Sequence, residues 1–104
     1  MTSLHTLQND KWQVGILPET GGSIAFGRVQ NPNGGDWLDF MRPTPPDAYD
    51  NVSLTASFVL VPWSNRIRDG VFTYKDDTYQ LHELKDGNAT HGITRNCPWS
   101  SAVQ

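Results

Sequence analysis

The stretch "SFVLVPWSNRIRDGVF", residues 57–72, contains the most apolar run of the chain and, directly after it, a cluster of polar groups. The run predicts a strand over about Ala56 to Val61. The polar cluster includes Asn65, Arg66 and Arg68. A buried strand that ends in such groups has reached either water or a ligand. The segment therefore predicts one strand and, at its end, one candidate binding position.

The composition favours an all-β chain. Gly, Pro, Asn and Asp make up 32 of the 104 residues, whereas there are only two Glu and five Ala. Those four residue types favour turns over helices. About seven short strands without a helix are expected, which predicts an antiparallel β-sandwich. The length predicts that residues 1–104 are a single domain or a piece of one.

Local patterns place several of these elements. "WQVGIL" at residues 12–17 and "SIAFGRV" at residues 23–29 read as two strands joined by a turn. Residues 70–84 have the pattern of a hairpin around a turn at residues 75–77. The segment at residues 42–51 holds three prolines and is predicted to be an ordered loop along the surface.

Charge and cysteine content exclude several classes of protein. The net charge of −3 argues against a nucleic-acid partner and against an acidic membrane surface. The single cysteine, Cys97, excludes an internal disulfide and fits a reducing compartment. The first twelve residues lack the apolar segment of a signal peptide, and no apolar run approaches a membrane span. A cytoplasmic location is expected.

The histidines do not predict a metal site. His5, His82 and His91 lack the spacing of paired metal ligands, and the one cysteine has no second cysteine to join it. No metal and no cofactor are expected. His82 reads as a surface residue of the hairpin. His91 lies in the glycine-flanked loop "NATHGITRN", where it is either a functional residue or a structural residue that forms hydrogen bonds.

The two arginines also have two interpretations. They can be a solvated pair of cations that forms a salt bridge to Asp69 and contributes little to stability. Alternatively, Arg66 can present its fork of donors to a polyhydroxylated or anionic ligand. The tripeptide "RIR" alone does not decide between them.

Several segments in combination resemble the aldose 1-epimerase (galactose mutarotase) family: "GGSIAFGR", "FMRPTP", "SFVLVPWSNRIRDGVF", "YQL", then "HG" and a following Trp. The similarity is closer to the branch that carries a PxSNRI-x-x-G-x-F segment. It implies the N-terminal part of a galactose-mutarotase-like supersandwich. It also implies that Arg66 contacts sugar hydroxyls, that Asn65 shapes the turn presenting Arg66, and that His91 is a catalytic residue beside the reacting atoms.

The family interconverts the α and β anomers of a free aldose. A base removes the proton of the anomeric hydroxyl while an acid protonates the ring oxygen, chemistry suited to a carboxylate and a histidine. In the family, the glutamate base and the histidine acid both come from later in a longer chain, and neither Glu19 nor Glu83 matches the base. This chain is therefore expected to bind a small-molecule sugar and to be inactive alone.

The same comparison predicts partners and leaves rival functions open. Strands that the family contributes later would leave open sheet edges here, so a second copy or a partner chain is expected to cover them. Two alternatives to a mutarotase remain. One is a non-catalytic carbohydrate-binding remnant, and the other is a small structural β domain.

Overall fold

A computed structural model describes residues 3–102 of the chain. In that part the regular elements are eight β-strands and four single-turn 3-10 helices, and every paired strand is antiparallel to its neighbour. The strands are β1 (His5–Gln8), β2 (Trp12–Leu17), β3 (Ser23–Val29), β4 (Leu38–Asp39), β5 (Arg66–Ile67), β6 (Val71–Tyr74), β7 (Asp77–Gln80) and β8 (Ala89–Thr90). The predicted all-β class is confirmed, and the antiparallel sheets are consistent with a β-sandwich.

The described residues fall into two compact units. Residues 3–59 together with 95–102 form the first unit, and residues 60–94 form the second unit. The single-domain organisation over residues 1–104 stays a prediction. No helix within residues 3–102 has the length and apolarity needed to cross a membrane.

The first unit is built on a four-stranded sheet in the order β1-β2-β3-β4. Strands β2 and β3 coincide with the two predicted patterns at residues 12–17 and 23–29. One row of side chains crosses the sheet at matched register positions: Gln8, Gln13, Arg28 and Asp39. The Arg28 guanidinium joins this row, since it donates to Gln13 at 3.2 Å and pairs with Asp39 at 3.1 Å. These partly exposed contacts specify register more than they add stability.

The core of the first unit is small. Leu17, Ala25 and Phe26 are buried together, and Tyr49 packs against them. Gly15 makes room for the largest of these side chains, because a Cβ there would lie 2.5 Å from Cε1 of Phe26. The glycine in the middle of β2 is therefore explained by a ring that occupies the place of its missing side chain.

The predicted strand at Ala56 to Val61 is wrong. Only isolated bridges form at its ends, from Ser57 to Ile24 and from Val61 to Gly92. The residues between them join no ladder, and the run is not deeply buried, since Leu60 and Val61 are 36% and 43% exposed. An apolar run predicts burial on both faces. Here the run joins the first unit to the second. Its Ser57 end bonds to Ile24 of the first unit, and its Val61 end bonds to Gly92 of the second unit.

The loop at residues 42–51 is ordered, as predicted, but it does not simply follow the surface. It contains a 3-10 helix at Pro46–Ala48, and both Thr44 and Ala48 are buried. The Thr44 amide donates to the carbonyl of Ala25 in β3 at 2.7 Å. The prolines thus prevent this segment from forming a central strand, but two of its residues are still buried.

The second unit contains two pairs of strands. The hairpin of β6 and β7 is confirmed, with Lys75 and Asp76 at the turn in left-handed conformations, φ 48° and 66°. Phe72 and Tyr79 face each other across it and stack with centroids 5.1 Å apart. Strands β5 and β8 form the other pair.

Candidate functional site

The pairing of β5 with β8 brings distant parts of the sequence together. Arg66 lies opposite Thr90, and Ile67 lies opposite Ala89. Ala89 and Thr90 are buried, whereas Arg66 is exposed. The pair therefore has an anchored strand, β8, and a strand that presents its arginine to solvent.

All three predicted site residues lie at one end of this pair. Asn65 immediately precedes β5 and His91 immediately follows β8, so they occupy the next register position. The His91 amide donates to the carbonyl of Asn65 at 2.7 Å, which joins the two residues directly. Arg66 directly follows Asn65 and lies opposite Thr90, the residue before His91.

The backbone turns away from the strand at both residues. Asn65 has φ 53° and His91 has φ 62°, both in the left-handed region. Asn and His enter this region more readily than most residues with a side chain. Strand β5 therefore begins directly after the turn at Asn65, and β8 ends directly before the turn at His91.

The loop after His91 is held against the end of the apolar run. Gly92 has φ 71° and forms a bridge to Val61, and a Cβ on Gly92 would collide with the backbone of Val61. The Ile93 amide donates to the Val61 carbonyl at 2.8 Å. Only glycine satisfies both the conformation and the close approach. The apolar run thus leads into the polar cluster because its last residue holds the His91 loop.

Two further side chains support the site, and sequence reasoning missed the role of both. The Trp63 indole N–H donates to the Ala89 carbonyl at 3.3 Å, so its ring braces β8. The Asn88 Oδ1 atom accepts from the Asp69 amide at 3.1 Å and ties the turn before β8 to the turn after β5. The Asp-Gly-Asn sequence at residues 86–88 was the available signal for a turn of this kind.

Arg66 is open to a ligand. Within residues 3–102 its guanidinium forms no ion pair or hydrogen bond, and the alternative salt bridge to Asp69 is not formed there. Arg68 does not extend the strand, because it begins a 3-10 turn in which Asp69 has φ 57°. The two arginines therefore differ: Arg66 lies in the strand pair and Arg68 lies in the following turn.

The other two histidines and Trp99, the Trp that follows the HG segment, do not belong to this strand pair. His82 is exposed beyond β7, and His5 in the first unit lies 3.2 Å from the Ser101 hydroxyl through its Nδ1 atom. Trp99, also in the first unit, packs its ring over Gly22. Across the described part of the chain, no three His, Cys, Asp or Glu side chains are grouped as ligands for a metal ion.

Comparison with curated protein sequences finds no match. A family model described as aldose 1-epimerase matches residues 3–104. The matched range includes the Asn65–Arg66 segment, the His91 loop and the strands that join them. The chain belongs to the aldose 1-epimerase family.

Proposed function

We propose that Asn65, Arg66 and His91 form one wall of a sugar site that serves the interconversion of α and β anomers of a free aldose. The observation that carries this proposal is the hydrogen bond from the His91 amide to the Asn65 carbonyl. It holds together the two segments that resemble the family's sugar-contacting motifs.

Arg66 is proposed to bind sugar hydroxyls. Its exposed guanidinium offers several N–H donors in a fixed plane, and hydroxyl oxygens accept from such donors. Without an internal partner among residues 3–102, it loses no ion pair when the sugar binds. Asn65 contributes through its backbone, since its left-handed turn sets the direction in which β5 starts.

His91 is proposed to lie beside the reacting atoms. Ring opening needs a base that takes the proton of the anomeric hydroxyl and an acid that protonates the ring oxygen as its bond to C1 breaks. Rotation about the bond from C1 to C2, followed by closure, gives the other anomer. An imidazole can exchange a proton at either oxygen.

The proposal also sets a limit on activity. The resemblance implies that the glutamate base and the histidine acid of the reaction both come from later in a longer chain, and neither Glu19 nor Glu83 stands at a position that matches the base. Glu19 belongs to the first unit, and its carboxylate accepts from the Ser3 hydroxyl at 3.0 Å. We therefore propose that this chain alone binds sugar with little or no turnover. A cytoplasmic location stays a prediction.

A matched pair of variants tests the proposed site. Arg66→Ala and Arg68→Ala each remove one exposed arginine, from the strand pair and from the turn beyond it. We expect Arg66→Ala to weaken D-galactose or D-glucose binding by about tenfold or more, the loss of one charge-assisted hydrogen bond, and Arg68→Ala to change it by less than about twofold. Equal effects of the two variants would contradict the proposal.

Polarimetry separates the rival functions. A rate above the buffer blank with freshly dissolved α-D-galactose would show that this chain supplies both acid and base. Binding without acceleration would support the proposed limit and the carbohydrate-binding role. Absence of both would favour the structural domain.

The covering of open edges by a second copy or a partner chain also stays a prediction. Within residues 3–102, the β6–β7 hairpin pairs with no further strand, and all eight of its strand residues are exposed. Two-stranded hairpins are marginally stable alone. The mass in solution, measured by light scattering, tests whether copies associate.

A further inference from the structure

A polar cavity lies in the first unit, formed by parts of the chain far apart in sequence. Its volume is about 270 Å³. Its charged and amide side chains are Glu19, Asp50, Arg95 and Asn96, and Thr20 and Val52 complete the lining. None of these residues was singled out as a ligand contact by sequence reasoning, and none belongs to the strand pair that carries Arg66 and His91.

The walls of this cavity are held by backbone contacts. Gly21 has φ 65°, and a Cβ there would collide with the backbone of Arg95, so the Arg95 segment lies directly on the turn between β2 and β3. The Gly21 amide donates to the Cys97 carbonyl at 3.1 Å. On the other side, the Thr20 hydroxyl donates to the Tyr49 carbonyl at 2.6 Å. The residues beside these anchors therefore have fixed backbone positions.

The charges that line the cavity are not neutralised by one another. Within residues 3–102, Arg95 forms no ion pair with Glu19 or Asp50. The Arg95 guanidinium lies 5.7 Å from the ring centroid of Phe58, and its Nε atom is buried without a hydrogen-bond partner. A buried donor without an acceptor is uncommon in folded proteins, because leaving it unsatisfied costs free energy. Arg95 lines the cavity and its side chain forms no hydrogen bond within residues 3–102, so donors of its guanidinium are free for a ligand.

We propose that this cavity binds a neutral polyhydroxylated molecule no larger than one sugar ring. A hydroxyl group both donates and accepts, so it can donate to the carboxylates of Glu19 and Asp50 while it accepts from Arg95. A phosphate or carboxylate would meet two like charges for one opposite charge. The volume lies at the small end of ligand cavities. This binding position shares no residue with the proposed anomer site, and it does not depend on that site.

The test is an amide NMR titration of the Arg66→Ala protein with D-galactose. This variant weakens the first binding position, and a dispersed spectrum would show that its fold is kept. We expect galactose to shift the amides of Thr20 and Asn96, with a Kd of about a millimolar to tens of millimolar. Inorganic phosphate, titrated separately, is expected to leave them unchanged.

A second matched pair controls this experiment. Asp50→Asn removes an exposed carboxylate that lines the cavity, whereas Asp47→Asn removes an exposed carboxylate of the neighbouring 3-10 helix that does not line it. We expect Asp50→Asn to weaken the galactose shifts at least fivefold and Asp47→Asn to leave them within twofold, roughly 1 against 0.4 kcal/mol. No shift at these amides, a response to phosphate alone, or equal effects of the two variants would overturn the proposal. Failure of the anomer site would appear separately, as unchanged amides at residues 65, 66 and 91 in the unsubstituted chain.

Discussion

Substitution of Gly92 by alanine tests how the candidate site is held in place. Gly92 has φ 71°, and the place of its missing Cβ is occupied by backbone atoms of Val61. Gly87, in the same unit, has φ 78° and nothing within 4 Å of the corresponding position. Both glycines are left-handed, but only Gly92 touches other backbone. Gly87→Ala is therefore the matched control.

The expected magnitudes follow from these two environments. An alanine in the left-handed region costs about 1–2 kcal/mol, and both variants incur this cost. At Gly92 the Cβ also forces the Val61 backbone away, which costs about 1–3 kcal/mol as overpacking does elsewhere. We expect Gly87→Ala to lower the free energy of unfolding by about 1–2 kcal/mol and Gly92→Ala by about 2–5 kcal/mol.

Urea denaturation followed by tryptophan fluorescence measures both values. The slope against urea should stay constant for the comparison to hold, since a changed slope indicates altered compactness. Equal losses of stability in the two variants would refute the claim that Gly92 is required by its contact with Val61. Gly92→Ala should also weaken galactose binding, because the displaced loop carries His91.

Three further predictions concern the stability that local contacts give to the fold, and each is measured as a shift in the urea unfolding midpoint. Lys75→Asn should stabilise by about 0.5–1 kcal/mol, since relief of the left-handed lysine outweighs the loss of its exposed cation–π contact with the Tyr74 ring, and an unchanged midpoint would contradict this. Thr20→Val should destabilise by about 1–3 kcal/mol, because the Tyr49 carbonyl loses its donor. A neutral effect would contradict this, since it would mean that water replaces the lost hydroxyl as donor. Asn9→Ala should cost about 1 kcal/mol, since Asn9 Oδ1 accepts from the Trp12 amide at 2.7 Å, and a gain would be inconsistent with this turn.

Local patterns predicted the strands that short-range chemistry specifies. Strands β2 and β3 match the predicted ranges because turn residues bound each pattern on both sides. The hairpin at residues 70–84 was predicted for the same reason. The predicted strand at Ala56 to Val61 was wrong, because a hydrophobic pattern does not show which neighbours the backbone will bond to.

Local patterns do not predict which distant segments pair as strands. The register of β5 with β8 joins segments more than twenty residues apart, and no periodicity encodes it. The family resemblance supplied the association of Arg66 with His91, and the backbone contact between residues 65 and 91 gave its geometry. Neither a local pattern nor the family resemblance predicted the polar cavity, since Glu19, Asp50 and Arg95 come from three separate segments.

The most direct test of the central claim, that Arg66 and His91 contact the same sugar, is a double-mutant cycle on D-galactose affinity. The variants are Arg66→Ala, His91→Asn and the double variant. Asparagine is chosen at residue 91 because it tolerates the left-handed backbone. We predict that each single variant weakens binding and that their effects are non-additive by about 0.5 kcal/mol or more, as expected for residues that share a ligand. Strict additivity, or no loss of affinity in either single variant, would contradict the account.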